Sequence, residues 1–184
     1  MKELSRRAAI GFGLLSGPAT CAAFAQERTN LVPAIIDVAI AVPIYDGIRP
    51  ITIEPSRHYH VVISNLSSQP LRLWDDHCSE GEFNLTFEIA DDKGLKLIRR
   101  RGQDWAKNFP IAVELQPGDQ FVSEFSFDPS TWELPWADLQ IGTRRVRMRA
   151  IYQIEPSDIA RKKGIWTGKI ASRYGDYTLR DNRR

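Results

Sequence analysis

Apolar and polar residues alternate along most of this chain with a period of two, which is the pattern of half-buried β-strands. The most regular run contains Phe83, Leu85, Phe87 and Ile89. Similar alternation predicts further strands at 34–42, 59–64, 71–74, 95–98, 111–115, 121–127, 146–154 and 165–172, with a short extension at 177–180. Residues 43–50 predict an irregular connection. Many short strands without a long helical period indicate an all-β protein.

Short segments rich in turn-forming residues separate the predicted strands. The sequence DDKG at 91–94 is typical of a hairpin turn, and QPGD at 116–119 is typical of a second turn. Residues 156–164 have the capping residue, the basic end and the final glycine of a two-turn helix, and 128–132 predict a single helical turn. We therefore expect an immunoglobulin-like antiparallel β-sandwich over 34–180, with one or two short helical turns.

Five segments of the chain carry a resemblance to a known group of domains. They read ISNLSSQPLRL, FNLTFEIADDKG, VELQPGDQF, RVRMRAIYQI and WTGKIAS, and they span most of residues 59–172. Together they resemble bacterial exported immunoglobulin-like domains, among which the intracellular proteinase inhibitor family is the nearest with a name. The resemblance implies the fold. It does not extend to the inhibitory role, because the chain matches no reactive-site loop.

The first 25 residues have the features of an export signal. Lys2, Arg6 and Arg7 precede a mildly apolar run, and Ala23 and Ala25 form the small-x-small pattern that signal peptidase cleaves. The paired arginines resemble a twin-arginine signal, and the general secretory route stays open as the alternative. We expect a linker at 26–33, a polar tail at 181–184, and a periplasmic or secreted mature domain without a membrane span.

Removing the predicted signal changes the charge and the cysteine content. The whole chain has 25 Lys and Arg against 23 Asp and Glu, and the signal holds three of the basic residues and one acidic residue, which leaves 22 of each. A domain with no net positive field is not expected to bind nucleic acid. Cys78 remains without a second cysteine, so no intramolecular disulfide is expected.

Three histidines and the remaining cysteine are candidate metal ligands. His58 and His60 are two residues apart on a predicted strand, so their side chains lie on one side, and His77 is followed by Cys78 in an acidic loop. If the fold brought these four residues together, their nitrogen and sulfur atoms would suit zinc or copper. The alternative is that the histidines are solvated surface residues.

Two further surfaces are candidates for binding a partner. Arg145, Arg147 and Arg149 alternate with apolar residues and would form a cationic row for an anionic partner, to which 99–101 would add if they lay nearby. The alternative is a simple charged cover for the sheet. Trp132 and Trp136 lie in a predicted loop, where they would contact a sugar or a protein if exposed, or close one end of the core if buried.

The chain contains none of the common enzyme motifs. It has no Gly-x-Ser-x-Gly, no His-Glu-x-x-His, no phosphate-binding glycine loop and no Cys-x-x-Cys. We therefore expect an exported, non-enzymatic binding or accessory module that uses no cofactor and has a protein or polysaccharide partner of unknown identity. The alternative is a periplasmic metal-handling protein that uses the surface histidines and Cys78.

Overall fold

The structure is a computed structural model, and it describes residues 36–41, 51–54, 57–92, 94–104, 108–134 and 142–181. The predicted signal peptide with Ala23 and Ala25, the linker at 26–33 and Trp136 lie outside the described residues. The predicted polar tail also lies outside them, except for Asp181, which ends a strand.

Twelve strands and one short helix occur in these described ranges. They are β1 Ile36–Ala41, β2 Ile51–Ile53, β3 Tyr59–Asn65, β4 Leu71–Trp74, β5 Leu85–Asp91, β6 Gly94–Arg100, β7 Ala112–Leu115, β8 Gln120–Phe125, β9 Trp132–Glu133, β10 Gly142–Ile154, α1 Asp158–Lys162, β11 Gly168–Ala171 and β12 Gly175–Asp181. The all-β class predicted from the sequence is confirmed.

The strands form three sheets in which nearly all pairs are antiparallel. The smallest is the pair β4 and β7, and a second sheet has the order β1-β3-β8. The largest has the order β2-β12-β10-β5-β6-β9, and β11 also pairs with β10. The pairing of β2 with β12 is parallel. The long strand β10 therefore lies at the centre of the largest sheet, with β5 and β12 on its two sides.

Alternation within the strands decides which side chains enter the core. In β3, Tyr59, Val61 and Ile63 are buried, whereas His60 and the other intervening residues are partly exposed. In β10, the even-numbered apolar residues such as Met148 are buried. Buried residues from all three sheets belong to one hydrophobic cluster. Because a shift of one residue would turn each of these sets toward solvent, burial fixes the register of the strands.

Aromatic rings form the centre of this cluster. The ring centroid of Phe87 lies 4.6 Å from that of Phe125, 5.1 Å from that of Phe127 and 5.5 Å from that of Trp132. Tyr59 adds a fifth ring, 5.7 Å from Phe125. Most of these pairs are tilted or edge-to-face, the arrangements that the ring quadrupoles favour. The four chain segments that carry these rings are thus joined in one aromatic cluster.

The turns follow the sequence closely. Asp91 pairs with Gly94 across a two-residue turn, and Gly94 has a φ of 117°, which a residue with a side chain rarely adopts. Helix α1 begins after Ser157, whose hydroxyl accepts a hydrogen bond from the Ala160 backbone, and Gly164 follows its end with a φ of 64°. Both predictions are confirmed. Residues 128–132 form a hydrogen-bonded turn at the predicted single helical turn.

Asn65 ties the end of β3 to two neighbouring segments. Its side chain is fully buried and donates hydrogen bonds to the carbonyl oxygens of Gln69 and Leu115, both at 2.9 Å. Its side-chain oxygen accepts hydrogen bonds from the backbone nitrogen and the hydroxyl of Ser67, at 3.0 and 2.7 Å. The amide therefore satisfies two acceptors and two donors at once, which no apolar residue can do.

The structure corrects the strand predictions at several places. Phe83 belongs to a turn and is 52% exposed, so the strand predicted from Phe83 begins at Leu85. β2 was not predicted, because three residues are too short for a periodic signal. The predicted short extension at 177–180 is the seven-residue strand β12, which pairs with β10.

Candidate functional site

The acidic loop between β4 and β5, residues 75–84, is held by several internal hydrogen bonds. The buried Cys78 lies at its centre, and its thiol donates a hydrogen bond to the Asp75 carbonyl oxygen at 3.1 Å. Its own carbonyl oxygen accepts hydrogen bonds from the backbone nitrogens of Gly81 and Glu82. The Asp75 nitrogen donates to Ile111 beside β7. These bonds fix the loop on itself and on its neighbour.

Gly81 allows the two halves of this loop to touch. A Cβ atom at this position would lie 1.9 Å from the Asp75 carbonyl oxygen and 2.6 Å from the Asp75 carbonyl carbon. Both atoms are backbone, which cannot rotate away as the end of a side chain can. Only glycine therefore fits without a shift of the loop.

Asp75, Asp76 and His77 converge at the start of the loop. The imidazole Nδ1 of His77 lies 3.0 Å from Asp75 Oδ1 and 2.8 Å from Asp76 Oδ1. One ligand atom from each residue lies within 4.8 Å of the other two. The His77 side chain is 88% exposed, whereas those of Asp75 and Asp76 are 24% and 19% exposed. The imidazole thus covers two carboxylates that are largely withdrawn from solvent.

A small pocket with room for about one water molecule is lined by Asp76 together with apolar core residues and several polar residues. Its polar lining residues are three acidic residues, an arginine and two residues with hydroxyl groups, and these are Asp76, Glu82, Glu124, Arg100, Ser123 and Tyr152. The Ser123 hydroxyl donates a hydrogen bond of 2.5 Å to Asp76 Oδ2. Arg100 donates to the backbone oxygen of Asp76 at 3.4 Å and lies over the ring of Trp132.

Tyr152 brings an unsatisfied hydroxyl to this pocket. The residue is 3% exposed, and its oxygen has no hydrogen-bond partner. Burial raises the pKa of the Tyr152 hydroxyl, a hydrogen bond with Asn84 opposes this, and the charge of Asp76 raises it further. The Asn84 amide nitrogen makes no other well-formed hydrogen bond, and its contact with the Tyr152 hydroxyl is weak. Burial and the nearby charge keep the hydroxyl protonated.

The structure divides the four predicted metal ligands between two places. His58 and His60 do lie on one side of β3, where they approach the two oxygens of Glu124 at 2.7 and 3.4 Å. His77 instead belongs to the acidic loop, and the Cys78 thiol points to backbone oxygens inside that loop. These four residues do not form one set of ligand atoms within 4.8 Å. The predicted four-residue metal site is therefore wrong as a set.

Ser123 and His77 both contact Asp76, but the three residues are not in the order of a catalytic triad. Asp76 lies between the other two, because it accepts a hydrogen bond from Ser123 through one oxygen and contacts His77 through the other. A triad needs the imidazole between the hydroxyl and the carboxylate, so that the imidazole removes the hydroxyl proton. In this arrangement His77 cannot activate Ser123.

The predicted arginine row lies on the outer face of the largest sheet. Arg147 and Arg149 approach the ring of Tyr174, at 4.9 and 4.6 Å from its centroid. Arg149 also donates to Glu88 at 2.5 Å, and the Tyr174 hydroxyl donates to the same carboxylate at 2.9 Å. Arg145 is exposed. Part of the positive charge of the row is therefore neutralised within the sheet.

The neighbouring arginines do not extend this row. Arg100 points inward to the pocket, and Arg101 donates to the carbonyl oxygens of Pro129 and Trp132. Arg99 pairs with Glu133 across β6 and β9. The predicted addition of 99–101 to one cationic patch is wrong at Arg100 and Arg101, because Arg100 points to the pocket and Arg101 binds the carbonyl oxygens of the turn around β9.

Trp132 is part of the core. It is 2% exposed and lies in β9 rather than in a loop, so the prediction that it is an exposed contact residue is wrong. Its neighbours, the rings of Phe87 and Phe127, exclude it from solvent. The alternative considered above, in which it closes the core, describes its position.

Two exposed phenylalanines lie on neighbouring loops, Phe83 in the acidic loop and Phe109 in the loop between β6 and β7. Phe109 is 72% exposed and Phe83 is 52% exposed. Asn108, which precedes Phe109, donates to the hydroxyl of Ser79 and to both carboxylate oxygens of Glu80. This amide joins the two loops. Ile111, at the end of the second loop, is 50% exposed. We call Phe83, Phe109 and Ile111 the aromatic loop surface.

Glu80 beside this surface is held in its charged form. Burial by itself would raise the pKa of Glu80, but hydrogen bonds from Asn108, from its own backbone and from Ser79 outweigh it and lower the pKa. The Glu80 charge therefore persists to lower pH than that of an ordinary glutamate.

Sequence reasoning missed the residues that complete these sites. Ser123, Arg100 and Tyr152 come from three different strands, and no spacing in the sequence relates them to Asp76. The sequence did contain a signal for Glu124, because this residue alternates with core residues in β8. Its side chain therefore lies on the outer face of the strand, and pairing of β8 with β3 brings it beside His60.

Comparisons with protein-family models, curated proteins and solved structures give no significant match. No helix among the described residues is both long enough and apolar enough to span a membrane.

Proposed function

We propose that this chain is an exported immunoglobulin-like β-sandwich that acts by binding a protein partner through the aromatic loop surface. Export rests on the signal-like residues 1–25, and the immunoglobulin-like class rests on the sequence resemblance. The sharing of one hydrophobic cluster by antiparallel sheets supports a sandwich.

The exposure of the aromatic loop surface is the observation that carries this proposal. Large aromatic side chains on loops are costly to expose to water and are enriched at the centres of protein interfaces. Phe83 and Phe109 belong to loops that are tied together by the Asn108 amide, so little ordering is needed on binding. Glu80 adds a negative charge beside the rings. The expected partner therefore presents an apolar pocket with a basic rim.

The arginine row is a weaker candidate for the partner-binding surface than the aromatic loop surface. Arg149 is paired with Glu88, and Arg147 is stacked on Tyr174, so both guanidinium groups already make contacts within the sheet. An anionic ligand would have to compete with these contacts, and exposed charge pairs contribute little to affinity at physiological salt.

A comparison of two double variants tests the proposal. The variant F83S/F109S removes the aromatic rings, whereas L95S/L97S removes two other exposed apolar side chains, from β6, as the matched control. Wild type and the control are expected to retain one defined periplasmic protein after crosslinking in cells. F83S/F109S is expected to bind that purified protein at least about tenfold more weakly, since each buried ring contributes about 2 kcal/mol. Equal binding by all three proteins, or no partner for any, would contradict the proposal.

A further inference from the structure

We propose that Asp75, Asp76 and His77 bind a divalent transition metal ion of the zinc class. The proposal is independent of the aromatic loop surface and uses a different set of ligands from the histidines of β3. The trio offers two carboxylate oxygens and one imidazole nitrogen within 4.8 Å of one another. Zinc accepts this combination of oxygen and nitrogen ligands and commonly uses three protein ligands with a water molecule in the fourth position.

An ion pair between His77 and one carboxylate does not fully explain why Asp75, Asp76 and His77 lie so close together. The Nδ1 atom of His77 carries at most one proton, yet it lies 2.8 and 3.0 Å from oxygens of two different carboxylates. One proton between two acceptors forms at best a three-centre hydrogen bond, in which each contact is more bent and weaker than a separate hydrogen bond. A divalent cation attracts both carboxylates and the nitrogen lone pair together.

Tyr152 provides an independent indication of a missing group. Its hydroxyl is buried, has only the weak contact with Asn84, and belongs to a residue that lines the same pocket as Asp76. The charge of Asp76 acts on this hydroxyl, which places the two groups near each other. The pocket has room for about one water molecule. A water bound to a metal ion at Asp76 would accept or donate the hydrogen bond that the hydroxyl lacks.

The trio also has the supporting contacts that metal ligands need. Ser123 donates to Asp76 Oδ2, which leaves Oδ1 directed to the His77 nitrogen. The backbone nitrogen of His77 donates to Asp75 Oδ1 at 2.8 Å and so holds the second carboxylate. Such contacts orient ligands and typically change metal affinity by about 10–100-fold when removed. The Arg100 guanidinium approaches the backbone oxygen of Asp76.

Isothermal titration calorimetry of the untagged protein with zinc ions tests this site. We expect one zinc ion per chain at micromolar concentration. The variants His77→Ala and Asp76→Asn are expected to lose at least about tenfold in affinity, and Ser123→Ala about tenfold. The double variant H58A/H60A is the matched control, because it removes two exposed imidazoles from β3 and is expected to leave binding unchanged.

Two outcomes would overturn the proposal. One is the absence of zinc binding by wild type at about 100 μM, a concentration at which a three-ligand site is expected to be filled. The other is binding that H58A/H60A abolishes and His77→Ala leaves intact. Thermal unfolding of each variant in the absence of metal shows whether it is folded, and His77→Ala replaces an exposed side chain that the fold does not need.

Discussion

Replacing Gly81 with alanine tests whether the acidic loop is held as tightly as its geometry indicates. The added Cβ would lie 1.9 Å from the Asp75 carbonyl oxygen, whereas ordinary contacts begin near 3.4 Å. One side of the loop must therefore move by about 1.5 Å. A shift of this size is larger than the tolerance of the hydrogen bonds that Gly81 makes with Cys78 and Asn84.

The cost of Gly81→Ala follows from those bonds. Two of them run from Gly81 to Cys78 and from Asn84 to Gly81, and a third joins the Cys78 thiol to Asp75. Each contributes about 0.5–1.5 kcal/mol, so losing two or three costs about 3 kcal/mol. Alanine returns less than about 1 kcal/mol by restricting the unfolded chain. We expect a net loss of about 2 kcal/mol, which lowers Tm by about 4–8 °C for a domain of this size.

Gly102→Ala is the matched control. Its added Cβ would meet only the Phe83 ring, at an ordinary contact distance of 3.7 Å, so the free energy of unfolding should change by less than about 0.5 kcal/mol. Differential scanning calorimetry or thermal unfolding followed by circular dichroism measures both variants. If Gly81→Ala melted within about 1 °C of wild type, the close contact between the loop halves would be refuted. Because Asp75 moves, the same variant is also expected to weaken zinc binding.

Three other changes follow from the described contacts. Asn65→Asp replaces the two buried N–H donors of the amide with a carboxylate that faces carbonyl oxygens. Urea unfolding should show a free energy of unfolding lower by about 3 kcal/mol, and a loss under about 1 kcal/mol would contradict the assigned hydrogen bonds. Burial raises the pKa of Tyr152 and Tyr177 in the folded protein, so the stability that they contribute is complete below pH 10, where the unfolded residues begin to ionise, and declines as pH rises above it. Absorbance at about 295 nm should show these phenols ionising only together with unfolding, and early ionisation in the folded state would contradict the prediction. Arg147→Glu should leave binding to the captured protein partner unchanged; a large loss would instead assign the partner to the arginine row.

Local patterns determined most of the secondary structure. Alternation identified β3, β8 and β10, because burial on one face of a strand leaves a period of two in the sequence. Turn chemistry placed the hairpin that ends at Gly94 and the capped helix α1, since these depend on residues that are adjacent in the chain. The prediction at Phe83 was right in kind, but the strand boundary depended on pairing partners, whereas β2 was missed because three residues give no periodic signal.

The candidate sites could be predicted only in part. The sequence predicted that the side chains of His58 and His60 lie on one side of a strand, and the structure places both beside Glu124, with His58 immediately before β3. It could not separate them from His77, because the distance between two loops or strands depends on the order of strands in the sheets. Trp132 shows the same limit, since an indole in a short turn-rich segment is exposed or buried according to what packs on it.

The sequence by itself determined the all-β class, which side chains of each strand face inward or outward, the turns and the composition of the acidic loop. Only the tertiary structure decided that Asp76 contacts Ser123 at a pocket that Tyr152 also lines, that the Cys78 thiol turns inward and that Phe83 and Phe109 remain in solvent. The physical reason is that periodicity and capping act between neighbours in the chain. The environment of a carboxylate, a thiol or a ring is set by residues that long-range strand pairing brings to it.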